Sequence, residues 1–438
     1  MIDHDAISEV AVIGVPHEKW GETPLAVVVL AEGASETPVN LTGWVNARVG
    51  KQQRIAGIVL IAELPRNPNG KILKRELRKQ YVDALGQVQK EGADMIQTDN
   101  ASYGALKRVC GLLPLAAILV TACGTEEPAE PAEIVTYNVD SSRISVSGLS
   151  SGAMMATQLH VAHSSLFNGV ALLSGGPWYC AQGSMKRGLG PCMQGDDIGT
   201  AQLIAFVKQA EADGAVDSLA NLADDNAWIF HATLDEAVAE PVSQAALAFY
   251  AEFMPRESVK YVGDVEAAHG FPTLETGVTC NEMASPYLNA CNYDAAGKLL
   301  EALYGELEPG GAAAGELKDV SQPGADDATM LDRAFLYVPE SCAAGEACGL
   351  HVALHGCLQS AEYVGDAFAV GTGYNEWAEA NRLLVLYPQV ASSKIAPLNP
   401  MGCWDWWGYT EDSYATKAGP QVKVIKATMD ALAGRMLP

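Results

Sequence analysis

The chain has 438 residues, enough for two or more domains, and 49% of them are hydrophobic, so a large core can be buried. The formal net charge of −25 argues against nucleic acid as a partner and against binding to anionic membrane surfaces. The charge is unevenly distributed, because residues 1–90 hold 11 Lys and Arg against 10 Asp and Glu, whereas the remainder holds 17 against 43. This contrast predicts that two pieces of different origin are joined.

The first 90 residues have the pattern of a small α+β module. Apolar runs predict strands at 9–16, 24–30 and 58–61, and the spacing at 71–81 predicts an amphipathic helix.

The same segment resembles the C-terminal domain of the acyl-CoA synthetases in two sequence motifs, AVIGVPH at 11–17 and LPRNPNGKI at 64–72. The resemblance covers nearly all of residues 1–90 and implies that Lys71 matches the lysine that stabilises the acyl-adenylate in that family. No Gly-rich phosphate loop or large nucleotide-binding domain accompanies the segment. We therefore expect the module to be catalytically silent, or to be a fusion or a gene-boundary error.

Residues 91–134 are expected to form a signal segment and a tether. Lys107 and Arg108 precede an apolar run at 109–120, which is shorter than the ~20 residues that a membrane span needs. The sequence VTAC that ends at Cys123 resembles a bacterial lipobox, which implies a lipidated mature N-terminus at Cys123 and membrane anchoring through it. The acidic, Pro-rich segment 124–131 suits a flexible tether. The alternative is a buried helical hairpin inside one large domain.

The ten cysteines are also unevenly placed, since residues 1–90 contain none and only Cys110 and Cys123 lie in the signal segment. The other eight lie downstream, and an even set confined to one region predicts disulfides formed in an oxidising compartment. Free thiols in a cytosolic core are the alternative. No C-x-x-C spacing is present, so no metal site is expected.

The third piece, residues 135–438, carries a candidate nucleophile. The hexapeptide SGLSSG at 147–152 contains G-x-S-x-G after an alternating apolar run, which favours a strand, a tight turn and a helix with Ser150 on the turn. The backbone N–H of Ser151 is then a candidate oxyanion donor. A chance match remains the alternative, because the chain has 42 glycines.

A histidine base and a carboxylate are needed beside such a serine. Of the eight histidines, His269 is favoured because the loop AAHGFP can aim its side chain. Asp235 follows a predicted strand that ends at His231, and carboxylates at strand ends face the active edge of an α/β sheet. Glu236 remains the alternative to Asp235.

The oxyanion strand lies in an unusual position in the chain. Its candidate is LHVALHGC at 350–357, where the backbone N–H of Cys357 is the second oxyanion donor. In the usual α/β-hydrolase this strand precedes the serine. Here it follows the histidine, so the sequence predicts a circularly permuted α/β-hydrolase, an α/β fold with a small α+β N-terminal module.

Residues 135–435 resemble the extracellular poly(3-hydroxybutyrate) depolymerases of the single-domain, circularly permuted type. The segments that carry the resemblance are SVSGLSSG, GGPWYC, HGFPT, CNYD, VALHGCLQ and NPMGCWDWWGY. It implies a triad of Ser150, Asp235 and His269, with the oxyanion hole at Ser151 and Cys357.

The resemblance also implies a crevice for the polymer and a set of disulfides. Trp404 and nearby aromatics, including Trp406, are expected to line the crevice. Strand alternation predicts Trp404 and Trp406 on one face and Trp407 on the other. Core packing is the alternative to a role in the crevice: one face is expected to be buried and one exposed, with either assignment open. The disulfide pairs favoured by the resemblance and by short loops are Cys180–Cys192, Cys280–Cys291, Cys342–Cys348 and Cys357–Cys403.

The leading hypothesis is therefore a serine esterase that cleaves short-chain polyhydroxyalkanoates through an acyl-enzyme. It is expected to act as a monomer without a cofactor on a polyester polymer or oligomer, and to be extracellular or a cell-surface lipoprotein. A feruloyl or acetyl-xylan esterase is the alternative with the same chemistry. An adhesion lipoprotein with an inactive hydrolase fold and a synthetase remnant are the remaining alternatives.

Overall fold

The computed structural model describes residues 135–393 and 397–438, together with 6–17, 21–31, 57–61 and positions 4, 41, 45, 55, 64 and 74. The chain divides into two compact units, Met1–Thr125 and Glu126–Pro438. Lys71, the signal segment with Cys123, and the predicted helix at 71–81, position 74 apart, lie outside the described residues. Within the described part of the chain, no helix has the length and apolarity to cross a membrane.

The first unit contains the three predicted strands. Strand β1 (Ile7–His17) pairs antiparallel with β2 (Gly21–Leu30), and β3 (Gly57–Leu60) pairs parallel with the other edge of β2. Alternate residues of β2 are buried on opposite faces, with Leu25 and Val27 in one cluster and Ala26 and Val28 in the other. The central strand is therefore apolar on both sides, as its continuous apolar run predicts.

The second unit is built on an eight-stranded sheet of order β11-β12-β14-β13-β4-β5-β6-β7. The strands from β14 to β7 across the sheet are parallel, and β12 and β11 form an antiparallel edge. The strand bounds are β4 (Val139–Leu149), β5 (Gly169–Leu173), β6 (Asn226–Ala232), β7 (Val259–Val265), β11 (Glu316–Ser321), β12 (Arg333–Val338), β13 (Cys348–Leu354) and β14 (Leu383–Tyr387). A second, small parallel sheet comprises β8 (Phe271–Thr273), β9 (Val278–Thr279) and β10 (Leu288–Ala290).

Helices cover both faces of the large sheet. Their bounds are α1 (Ser151–Ala162), α2 (Met185–Leu189), α3 (Pro191–Gln194), α4 (Thr200–Ala212), α5 (Glu240–Tyr250), α6 (Ala295–Tyr304), α7 (Glu340–Ala343), α8 (Ala361–Val364), α9 (Ala367–Gly371), α10 (Tyr374–Asn381) and α11 (Pro420–Ala433). In β5, Val170 and Leu172 belong to the core shared with α1, α5 and α11, whereas Ala171 and Leu173 belong to the core shared with α6 and α10.

The strand order confirms the circular permutation. The chain enters the sheet at β4 in its middle, runs outward to β7, and then crosses to the opposite edge for β11 and β12. The end of α11 lies against the start of β4, because Tyr137 N donates to Leu432 O at 2.7 Å and Arg435 Nη2 donates to Val139 O at 2.9 Å. Joining these ends and opening the chain before β11 would restore the order in which the oxyanion strand precedes the serine.

Candidate active site

Ser150 occupies the turn between β4 and α1, at the carboxyl end of a central strand. Its backbone has φ 58° and ψ −119°, a region that costs a non-glycine residue about 1–3 kcal/mol and persists only where the surroundings impose it. The Ser150 N–H donates to Leu173 O of β5 at 2.8 Å and holds the turn. This is the strand–turn–helix setting that the motif predicts.

Both glycines of the motif are required by close backbone approaches. A Cβ on Gly148 would lie 2.2 Å from the carbonyl carbon and oxygen of Gly152. A Cβ on Gly152 would lie 2.4 Å from the carbonyl oxygens of Leu354 and His355. The turn therefore packs directly against the end of β13, where the oxyanion segment begins.

Asp235 and His269 lie together beyond the ends of β6 and β7. His269 Nδ1 lies 2.8 Å from Asp235 Oδ2, and Asp235 Oδ1 accepts hydrogen bonds at 2.9 Å from the backbone N–H groups of Ala237 and Val238. The Asp235 carboxylate is fully buried. Burial alone would raise its pKa, but hydrogen bonds from His269, Ser174 and Val238 outweigh burial, and the net pKa lies below its ordinary value.

The alternative carboxylate, Glu236, is exposed. The structure therefore places Asp235, and not its neighbour, against the imidazole.

Ser150, Ser174 and Asp235 follow three adjacent parallel strands, β4, β5 and β6, at the same edge of the sheet. Ser174 N donates to Phe230 O of β6 at 2.9 Å, just as Ser150 N donates to Leu173 O of β5. The Ser150 hydroxyl makes no hydrogen bond with His269 in this structure. Such contacts commonly tighten only when substrate is bound.

Three other histidines of this unit, His351, His160 and His231, are buried. His351 is fully buried between the Ser145 and Ser147 hydroxyls, at 2.7 and 2.8 Å, and burial lowers its pKa to about 3. His160, in the last turn of α1, lies with its Nε2 3.1 Å from Asp225 Oδ2. His231 is buried beside the Asp235–His269 pair, and burial lowers its pKa.

The segment after β13 turns tightly over Ser150. A Cβ on Gly356 would lie 3.5 Å from Ser150 Cβ. The buried His355 donates from Nδ1 to Gly356 O at 2.7 Å and accepts at Nε2 from Val390 N at 3.4 Å, so its neutral tautomer is defined. Burial lowers the pKa of His355 to about 4. The peptide that carries the Cys357 N–H is thus held through its own carbonyl oxygen.

The backbone N–H groups of Ser151 and Cys357 are free to bind a ligand. Within the described residues neither donates to a protein acceptor, and both residues line the same cleft as Ser150. Two free amides beside a serine at a helix N-terminus form the arrangement that stabilises an oxyanion.

The cleft has a volume of about 280 Å³ and walls that are almost entirely apolar. Four of its side chains are 46–58% exposed at the mouth: Met185, Leu189, Leu398 and Met401. Trp406 and Ser151 line the cleft, and each has a buried polar atom, Nε1 and Oγ respectively, that lacks a hydrogen-bond partner. Such groups can bind polar atoms of a ligand that is otherwise apolar.

The tryptophan segment differs from its prediction. It is an irregular loop, not a strand, so Trp406 and Trp407 both line the cleft and the alternation predicted for them is wrong. Trp404 is fully buried and donates from Nε1 to His355 O at 2.9 Å. This corrects the expectation that Trp404 lines the crevice, because its side chain packs beneath the oxyanion turn instead.

The four disulfides implied by the resemblance are confirmed: Cys180–Cys192, Cys280–Cys291, Cys342–Cys348 and Cys357–Cys403. The last of these joins the oxyanion turn to the tryptophan loop, and both of its cysteines line the cleft.

Sequence reasoning missed several contributors to the site. The apolar wall from α2, including Met185 and Leu189, comes from a short helix with no motif. Gln359 contacts the oxyanion turn through Gly356, and its three-residue spacing from that glycine is the one signal that could have indicated it.

The second unit is similar to known proteins. A family model described as esterase PHB depolymerase matches residues 333–435. The poly(3-hydroxybutyrate) depolymerase of Delftia acidovorans is 37% identical over 316 residues, which is 70% of this chain and 63% of that protein. The match therefore spans slightly less than two thirds of the Delftia protein. The polyhydroxybutyrate depolymerase of Talaromyces funiculosus is 36% identical over 322 residues, which is 94% of that protein.

A solved structure gives the same result. The PHB depolymerase from Penicillium funiculosum is 34% identical with a TM-score of 0.65, and the match covers 69% of this chain and 99% of that one. A serine-to-alanine variant of a PHB depolymerase, complexed with an R3HB trimer, matches equally well.

The N-terminal resemblance is also confirmed. A model of the AMP-binding enzyme C-terminal domain matches residues 1–71. The 3-methylmercaptopropionyl-CoA ligase of Ruegeria pomeroyi is 42% identical over 84 residues, which is 19% of this chain and 16% of that protein.

Proposed function

The chain belongs to the esterase family of PHB depolymerases, and from this premise we propose that residues 135–438 hydrolyse ester bonds of short-chain polyhydroxyalkanoates such as poly(3-hydroxybutyrate). The observation that carries the proposal is the position of Ser150, on a strained turn in an apolar cleft beside two free backbone amides. The near full-length match to the Talaromyces depolymerase supports the choice of substrate.

The reaction proceeds through an acyl-enzyme. Ser150 Oγ attacks the ester carbonyl carbon while His269 Nε2 takes the serine proton, and Asp235 holds Nδ1–H and stabilises the imidazolium. The N–H groups of Ser151 and Cys357 bind the oxyanion. His269 then gives its proton to the leaving alcohol, and water, activated by the same imidazole, releases the hydroxy acid from Ser150.

The cleft fits a methyl-branched polyester. Its thioether, aliphatic and indole walls remove the chain's apolar surface from water, at roughly 25 cal/mol per Å². The half-exposed apolar side chains at the mouth suit contact with a solid polymer surface.

The unit acts outside the cytoplasm, because four disulfides persist in oxidising compartments. We further propose that Cys123 is lipidated and anchors the exported enzyme, that residues 91–134 serve as signal and tether, and that residues 1–90 with Lys71 are silent. Mass spectrometry of the exported product tests this, with a lipid-bearing N-terminus at Cys123 as the expected result.

Clearing of a poly(3-hydroxybutyrate) suspension tests the substrate, with the variant Ser150→Ala as control. We expect clearing and release of 3-hydroxybutyrate oligomers by the wild type, and loss of both, together with fluorophosphonate labelling, in the variant. Release of acetate from acetyl-xylan or of ferulate from feruloylated xylan without clearing would instead identify a carbohydrate esterase. Unchanged labelling in the variant would exclude Ser150 as the nucleophile.

A further inference from the structure

Gln359 connects the oxyanion turn to the segment that supports the loop of His269, and the proposed mechanism needs these two parts in a fixed relative position. It lies three residues after Gly356, is 1% exposed, and is not among the residues that line the cleft. Its Oε1 accepts from Gly356 N at 2.7 Å. Its Nε2 donates to Pro286 O at 2.9 Å and to Tyr287 O at 3.2 Å.

The carbonyl of Tyr287 also holds the loop that carries the base. It accepts from Phe271 N at 2.8 Å, two residues after His269. The residue between them, Gly270, packs so closely that a Cβ there would lie 2.9 Å from the same carbonyl oxygen. One backbone carbonyl therefore bonds to the Gln359 amide and to the segment that positions His269.

Gln359 and His355 together hold both backbone groups of Gly356. Gln359 accepts its N–H and His355 donates to its carbonyl oxygen. With this residue fixed, the next peptide N–H, that of Cys357, has a defined direction. At its other end, Gln359 Nε2 donates to Tyr287 O, which also accepts from Phe271 N in the histidine loop, so the two loops are linked.

We infer that Gln359 is a positioning residue that fixes the position of the oxyanion donor at Cys357 relative to that of the base His269. The inference rests on the proposed function and adds a residue that does not touch substrate. The role requires an acceptor and a donor on one planar, uncharged group, because the glutamine bonds an amide N–H at one end and carbonyl oxygens at the other. A displacement of about 1 Å between reacting groups can cost on the order of 100-fold in rate.

The test compares three substitutions in the full chain, with p-nitrophenyl butyrate as a small soluble ester. Gln359→Glu keeps the acceptor for Gly356 and loses the N–H donors when ionised. Gln359→Met loses both, and Gln359→Asn is a smaller uncharged variant in case the first two fold poorly. We expect kcat to fall roughly 10- to 100-fold in each, with KM within about threefold of the wild type.

Two controls separate this role from general loss of stability and from failure of the proposed function. Gln322→Met removes another buried glutamine, which bonds Leu331, Arg333 and Gln389 and makes no direct hydrogen bond to a residue that lines the cleft. It should lower the thermal midpoint without changing kcat by more than about twofold. Ser150→Ala must abolish activity, and if it does not, the proposed function fails whatever the glutamine variants do.

Retention of wild-type kcat by folded Gln359→Met or Gln359→Asn would overturn the inference. Retention by Gln359→Glu alone would show that only the contact to Gly356 matters, and would overturn the proposed link to the histidine loop. A rise in KM at constant kcat would assign Gln359 to substrate binding and would also contradict the inference.

Discussion

At the residue scale, Asp235 shows how hydrogen bonds keep a buried carboxylate ionised beside the catalytic base. Its carboxylate is removed from water, yet its pKa lies below the ordinary value, since one oxygen bonds His269 and the other accepts two backbone N–H groups. The carboxylate stays ionised at neutral pH and fixes the proton of His269 on Nδ1, which leaves Nε2 as the base.

The substitution Asp235→Asn should lower kcat by about 10³- to 10⁴-fold, because an amide selects the wrong imidazole tautomer. Its neighbour supplies the matched control, since Glu236 is exposed and Glu236→Gln should stay within about twofold of the wild type. Steady-state hydrolysis of p-nitrophenyl butyrate measures both. The reverse pattern would move the triad carboxylate to Glu236.

At the element scale, the oxyanion turn is held by covalent and packing contacts at once. The disulfide Cys357–Cys403 ties it to the tryptophan loop, and Trp404 packs beneath it against His355. The disulfide Cys342–Cys348 lies elsewhere, between α7 and the start of β13.

Removal of these two disulfides should have different consequences. The double variant Cys357→Ser and Cys403→Ser removes a crosslink between residues 46 positions apart, and loop-closure entropy predicts a loss of about 4 kcal/mol of unfolding free energy. The double variant Cys342→Ser and Cys348→Ser removes a crosslink between residues 6 positions apart, for which the predicted loss is about 2 kcal/mol. We expect only the first variant to lose kcat, by about tenfold, at a temperature where both remain folded. Denaturant unfolding and esterase kinetics measure the two effects, and equal kcat in both variants would contradict the assigned role of the turn.

Strand β13 and the turn that follows it carry two neutral histidines, His351 and His355, that make stability depend on pH. Burial lowers the pKa of His351 to about 3 and of His355 to about 4, against about 6.5 in the unfolded chain. Between these values the unfolded chain binds protons that the folded chain does not, so the unfolding free energy falls as pH falls below about 6.5.

These two histidines alone should reduce the unfolding free energy by about 2–3 kcal/mol per pH unit between pH 6 and 5. Urea unfolding with the disulfides intact, at half-unit steps of pH, measures the slope. His351→Gln should decrease that slope by about half, because one of the two histidines that take up a proton on unfolding is removed. An unchanged slope in this variant would mean that His351 is protonated in the folded state.

At the scale of the whole molecule, the fold was more predictable than the cleft. The positions of Ser150, His269 and the segment 350–357 along the chain were enough to predict a permuted sheet, because parallel strands present their carboxyl ends at one edge. The aromatic loop was not predictable, since alternation applies to strands and residues 404–409 follow an irregular path. The contacts of Gln359 with Pro286 and Tyr287 were also hidden, because they join residues more than 70 positions apart.

The permuted unit also contains everything that the proposed reaction needs. Its two largest cores lie on the two faces of one sheet, and its four disulfides are internal. Ser150, Asp235, His269 and Cys357 all belong to Glu126–Pro438. The sheet of the first unit has separate clusters of its own. A chain of residues 126–438 should therefore fold and act alone.

We expect this shortened chain, refolded or secreted with its disulfides formed, to hydrolyse p-nitrophenyl butyrate with kcat/KM within about twofold of the full chain. ATP and coenzyme A should leave the activity of the full chain unchanged, because no nucleotide is used in acyl transfer to serine. A loss greater than about fivefold, or a chain that fails to fold, would show that residues 1–125 contribute to the hydrolase. ATP-dependent acyl-CoA formation by the full chain would show that Lys71 is active after all.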